Sequence, residues 1–129
     1  MFVTVVMTAS AATAEARISD CATPLGSVRV VLPSGLPPAL KDLLGDVAMP
    51  GEPFDSTDVY LRGHKHRRYI FVWNRGTRWT VAMEQGGIAL LSAIYVYELG
   101  KEGKKATLVQ ERTGLLNEVC TAATKLSTP

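Results

Sequence analysis

At 129 residues, of which 47% are apolar, 20% charged and 7% aromatic, the chain has room for one hydrophobic core and lacks the composition of a disordered, collagen-like or coiled-coil polypeptide. Fourteen lysines and arginines against twelve acidic residues leave a formal charge of +2, too small for a protein that binds nucleic acid by bulk attraction. Any electrostatic site must therefore be local.

The chain opens with Met1-Phe2-Val3-Thr4-Val5-Val6-Met7-Thr8-Ala9, an apolar stretch followed by small residues with several A-x-A matches between Ala9 and Ala16. This pattern predicts a secretory leader over 1–16, cleaved after Ala14 or Ala16. It is far shorter than the roughly 20 residues that span a bilayer, so no transmembrane segment is expected in the mature chain. No Lys or Arg precedes Arg17. The basic start of a leader is therefore missing, and the expected reading frame begins upstream. The competing reading is a disordered or strand-forming N-terminus of a cytosolic protein. Residues 17–129 are expected to form a single secreted α+β domain, periplasmic or extracellular.

Cys21 and Cys120 are the only cysteines. In an oxidising compartment they have one intramolecular pairing, which would close a loop of on the order of 100 residues and staple the two ends of the domain together. Two buried thiols in a cytosolic core are the alternative.

Next in the chain, Ser27 to Leu32 is a β-branched run ended by Pro33-Ser34-Gly35, which predicts a strand. Leu36, Leu40, Leu43, Leu44 and Val47 then recur at helical spacing, with Pro37 and Pro38 suited to a first turn and Gly45 to the end, so a helix is predicted over 37–45. Residues 48–58 hold two prolines, a glycine and several Asp and Ser side chains, and read as a loop. Five runs rich in Val, Ile, Tyr, Phe, Trp and Thr follow: Val59–Arg62, Arg67–Trp73, Thr77–Glu84, Ile88–Glu98 and Ala106–Glu111. The glycine-containing breaks between them are too short for parallel crossovers, so the runs predict an antiparallel meander of about four to six strands. Leu115, Leu116, Val119, Cys120, Ala123 and Leu126 mark one face of a C-terminal helix that could cover the sheet.

Strict alternation places Tyr69, Phe71 and Trp73 on one face of the sheet and Ile70 and Val72 on the other. Both faces thus carry large side chains. One must meet the helices, while the other is partly exposed, covered by the N-terminal segment, or an interaction surface.

The strongest charge asymmetry lies between Val59 and Met83, where Arg62, Lys65, Arg67, Arg68, Arg75, Arg78, His64 and His66 occur without one acidic residue. Guanidinium forks match carboxylate, sulfate and phosphate geometry, and Trp73 and Trp79 could add stacking or cation–π contact. Arg62, His64, His66, Arg67, Arg68, Trp73, Arg75, Arg78 and Trp79 are therefore the candidate binding residues for an anionic ligand, a glycan or an acidic protein; nucleic acid is not the expected partner. The competing reading folds the preceding acidic stretch, with Asp42, Asp46, Glu52, Asp55 and Asp58, against these strands.

His64-Lys65-His66 offers only two of the ligands that zinc requires, amid several cations, so neither metal nor cofactor is expected. There is no G-x-S-x-G, no C-x-x-C and no phosphate loop; Gly100-Lys101-Glu102-Gly103-Lys104-Lys105 reads as a charged hairpin tip. Glu84 and Glu98 are expected to be solvated. These readings predict a non-catalytic exported binding or interaction module. A small exported hydrolase acting on an anionic substrate, with His64 or His66 as general base, is the alternative. A third reading has the domain associate through an exposed strand edge.

Overall fold

The computed structural model describes residues 21–56, 65–87 and 89–128. The leader at 1–16, the strand expected at Val59–Arg62, and the candidate residues Arg62 and His64 lie outside the described residues. The architecture is α+β. In chain order it comprises β1 (Val28–Arg29), α1 (Pro38–Leu44), β2 (Arg67–Arg75), β3 (Arg78–Gln85), β4 (Leu91–Leu99), β5 (Ala106–Gly114), a 3-10 turn (Leu116–Glu118) and α2 (Val119–Ser127). The strands form one antiparallel sheet in the order β1-β2-β3-β4-β5.

Turn chemistry sets the meander. Gly76-Thr77 joins β2 to β3 in register Arg75↔Arg78, and Gly76 takes φ +60, a conformation that only glycine adopts freely at the first position of a tight hairpin. The Asn74 carboxamide donates to the Gly76 carbonyl at 3.0 Å and steadies the turn. The charged segment after β4 forms the hairpin tip, where the Gly100 amide donates to the Lys105 carbonyl at 2.8 Å.

The two faces of the sheet are covered by different helices. On one, Ile70, Phe71, Trp73, Ala82 and Ile94 pack with Val119, Ala122 and Ala123 of α2 and with Cys21. On the other, Tyr69, Val72, Val81, Met83 and Tyr97 pack with Leu36, Val47, and Leu40 and Leu44 of α1. The strict alternation expected along β2 is corrected here. Tyr69 faces Met83 and Phe71 faces Ala82, so Ile70 is an extra residue in a bulge. Two residues then oppose one on the partner strand and the side-chain phase resets. Tyr69 consequently joins Val72 on the α1 face, while Ile70 and Phe71 both pack on the α2 face.

Short helices leave the expected apolar stripes incomplete. Leu43 of α1 and Leu115 before the 3-10 turn are exposed, and Ala122 takes a buried place on α2. The Cys21–Cys120 disulfide links the start of the described chain to α2 across 99 residues, with Cα atoms 5.3 Å apart. The loop from Gly45 to Ser56 bridges the start of β2 at Ala48 and meets Gly86, after β3, backbone to backbone. A Cβ on Gly86 would stand 1.9 Å from the Asp55 carbonyl oxygen, so only glycine fits there.

Candidate functional site

The basic stretch is divided among separate structural tasks. Arg67 donates through Nη2 to the Leu44 carbonyl at the C-terminus of α1, where unsatisfied carbonyls favour a cation. Arg68 is buried with Glu84: Nε and Nη2 approach Oε2 at 2.7 and 2.6 Å. Its Nη1 donates to the Glu52 carbonyl at 3.0 Å, and its guanidinium lies 4.4 Å from the centroid of the Phe54 ring. Arg78 reaches Glu98 at 3.4 Å, the Gln110 carboxamide at 3.1 Å and the Leu126 carbonyl at 2.8 Å, which ties β3 to β4, β5 and the end of α2. Arg75 is exposed at the hairpin, its guanidinium beside Gly26. Lys65 pairs with Asp46 at 3.2 Å. The acidic stretch thus folds against the basic strands through Asp46, Asp55 and the Glu52 backbone.

The two tryptophans do not form one platform. Trp73, 1% exposed, stacks on Phe71 in the α2-face core with ring centroids 4.2 Å apart. Trp79 is half-buried and packs on the α1 face beside Tyr97. Burial pushes the Tyr69 phenol above its ordinary value, opposed by Arg67; burial also raises Tyr97, helped by Tyr95. The expectation that Glu84 and Glu98 are solvated is corrected for Glu84, which is 4% exposed and salt-bridged. Glu98 sits six register positions away along β3, accepting from the Thr77 hydroxyl at 2.8 Å.

One pair has the layout of an acid–base dyad. His66 is half-exposed, and its Nδ1 lies 3.4 Å from Oδ2 of the buried Asp55. A buried carboxylate in that place fixes the orientation of an imidazole. Among the described residues no three His, Cys, Asp or Glu side chains converge as a metal-ligand set.

The two edges of the sheet differ sharply. Along β2 the outer edge is closed in pieces: β1 pairs with Trp73 and Asn74, and Ala48 donates to the Arg67 carbonyl at 2.8 Å and accepts from the Tyr69 amide at 2.9 Å. Along β5 no described segment does this. Seven successive residues, Thr107 to Thr113, are exposed, with Leu108 and Val109 at 45% and 44%. Val109 is the extra residue of a second bulge, after which Gln110–Gly114 pairs regularly with Ser92–Val96. Ser92, buried, donates its hydroxyl toward the Gly114 and Leu115 carbonyls and fixes the chain as it leaves β5. The edge-strand reading is legible in the sequence only as mixed polar and β-branched composition. Which strand would be last in the sheet was not.

Comparison with known protein families, curated proteins and solved structures finds no match to this chain.

Proposed function

We propose that the chain is an exported, non-catalytic binding module that engages an extended segment of a partner polypeptide along the free edge of β5. The observation that carries this reading is the contrast between the two sheet edges: β2 is covered by β1 and Ala48, whereas β5 offers a nine-residue strand whose outer side no described segment pairs with. An edge of this kind presents alternating N–H and C=O groups that an added strand satisfies. The Val109 bulge and the Glu111–Arg112 charges restrain indiscriminate pairing, while Gln110–Gly114 keeps regular register with β4. The internal partners of Arg67, Arg68 and Arg78 move the expected contact away from the β2–β3 hairpin. Export is supported by the apolar leader pattern and by the Cys21–Cys120 disulfide. No helix of the described residues is long and apolar enough to cross a membrane.

The test uses peptides selected from a displayed library of random dodecamers. Selected peptides should shift backbone amide resonances confined to 106–114. Gln110→Pro and Glu111→Pro then discriminate, because successive residues of an edge strand point their N–H groups alternately toward and away from β4. The variant whose donor faces outward should keep the fold and lose peptide binding at least tenfold. Unchanged binding by a folded proline variant, or shifts located elsewhere, would reject the reading.

The His66–Asp55 pair favours a second reading, a small hydrolase acting on an anionic substrate with His66 as general base. Under it, His66→Gln abolishes turnover of a phosphate or carboxylate ester substrate in a variant whose amide spectrum shows that the fold is retained. Absence of turnover by the unaltered protein across such a substrate panel would remove this alternative.

A further inference from the structure

We propose that the cleft between β5 and α2 binds an acidic saccharide, taking the sugar carboxylate between Arg112 and Lys125. The cleft has a volume of about 340 Å³ and is lined by Arg112, Asn117, Glu118, Thr121, Ala122 and Lys125. That size is at the lower end of small-ligand sites, which run from roughly 300 to 1,000 Å³. It is lined by side chains of β5 and α2, whereas strand addition uses the backbone N–H and C=O groups of β5.

Backbone geometry brings these residues together. Arg112 is opposite Ile94 in the β4–β5 register, and Ile94 belongs to the α2-face core, so the arginine leaves the strand on the side that α2 covers. Asn117, Thr121 and Lys125 are spaced four apart along the 3-10 turn and α2, which stacks them in one row over the strand. Three other arginines of the sheet face internal acceptors: Arg67 a helix carbonyl, Arg68 the Glu84 carboxylate, Arg78 the Leu126 carbonyl, whereas Arg75 is exposed at the β2–β3 hairpin. No ion pair or side-chain hydrogen bond joins Arg112 or Lys125 to another described residue. Among the described residues, then, neither cation of the cleft is held in an ion pair, although Glu118 lines the same cleft.

The remaining groups select for more than charge. Guanidinium, ammonium, carboxamide and hydroxyl groups supply donors for a carboxylate, and Glu118 supplies an acceptor for ligand hydroxyls. Glu118 lies toward Gly114, its Oε2 3.6 Å from where a Cβ of that glycine would stand, and it pairs with neither cation. Side-chain charges in the cleft sum to +1, which a monoanion neutralises. A second, wider hollow of about 560 Å³ shares Thr121 and Lys125 and continues past Ala22, Cys120, Thr124 and Thr128. Thr124 and Thr128 donate their hydroxyl hydrogens to the carbonyls of Cys120 and Thr124, which leaves their oxygens as acceptors. A mostly apolar continuation of an anion site, bordered by threonine hydroxyls, fits the C–H face and the hydroxyl rim of a further sugar ring.

The experiment titrates the oxidised protein with glucuronate, a galacturonate tetramer, glucose and acetate while following amide resonances and the Arg112 side-chain Nε–H. The two uronates should shift Thr121, Ala122, Lys125 and the Arg112 side chain saturably, the tetramer more tightly; glucose should not. Arg112→Gln and Lys125→Gln should each weaken binding tenfold or more with the amide spectrum otherwise preserved. Acetate binding as tightly as glucuronate would overturn the saccharide assignment in favour of a simple anion site. Shifts spread over Lys101, Lys104 and Lys105, or none at these residues, would overturn the site itself.

Discussion

Replacing Cys21 and Cys120 together with serine lowers the unfolding free energy by about 4–5 kcal/mol, the loop-entropy expectation for a crosslink closing roughly 100 residues. For a domain of this size that corresponds to a fall in Tm of roughly 15–30 °C. The bond also ties the chain's described start to α2. After Cys21 the segment is mostly exposed, and β1 contributes only Val28 and Arg29 to the sheet. At the other end, α2 is nine residues long and is held otherwise by its buried Val119, Ala122 and Ala123 and by the Arg78 bond to the Leu126 carbonyl. Calorimetry of the oxidised protein and the double-serine variant measures the difference. A Tm within a few degrees of the unaltered protein would contradict the assigned role. On the proposed reading of export, the same result explains why the domain reaches full stability only in an oxidising compartment.

Arg68→Met costs about 3–5 kcal/mol, because it leaves the Glu84 carboxylate buried without its counterion. Arg68 is 9% exposed, and its guanidinium simultaneously meets Glu84, the Glu52 carbonyl and the Phe54 ring, so it also anchors the acidic loop to the sheet. The double replacement Arg68→Met with Glu84→Leu should recover much of that loss, since two apolar side chains in place of a buried ion pair are often neutral or stabilising. Urea denaturation of both single variants and the double variant gives the coupling directly. A single-variant loss below about 1 kcal/mol, the range of exposed pairs, would mean that the pair is effectively solvated. The loop carries Asp55 as well, so Arg68→Met is also expected to loosen the hold on His66.

The expected strands β2 to β5 were legible because each is a run of β-branched and aromatic residues bounded by glycine, and short connections permit only antiparallel neighbours. Their ends differ from expectation by one to three residues, as at Arg75 and Gly114. The candidate binding stretch was legible as charge but not as surface. Nothing local distinguishes Arg68, which turns inward to a carboxylate sixteen residues away, from Arg75, which stays exposed. The bulge at Ile70 is equally silent: it inserts one residue into a run that is apolar throughout, so no break in pattern announces it. The cleft residues Arg112 and Lys125 belong to separate elements, each of which alone reads as an ordinary solvated face.

Amino-acid order by itself determined the α+β class, the antiparallel meander, the approximate helices and the one pairing open to two cysteines, since each follows from local backbone preference or from counting. Tertiary structure alone decided which face each aromatic residue occupies, which carboxylate is buried, which arginines meet internal acceptors and which strand edge is left uncovered. Those outcomes depend on the packing of segments tens of residues apart, where the desolvation of one charge is balanced by a partner that no local window contains.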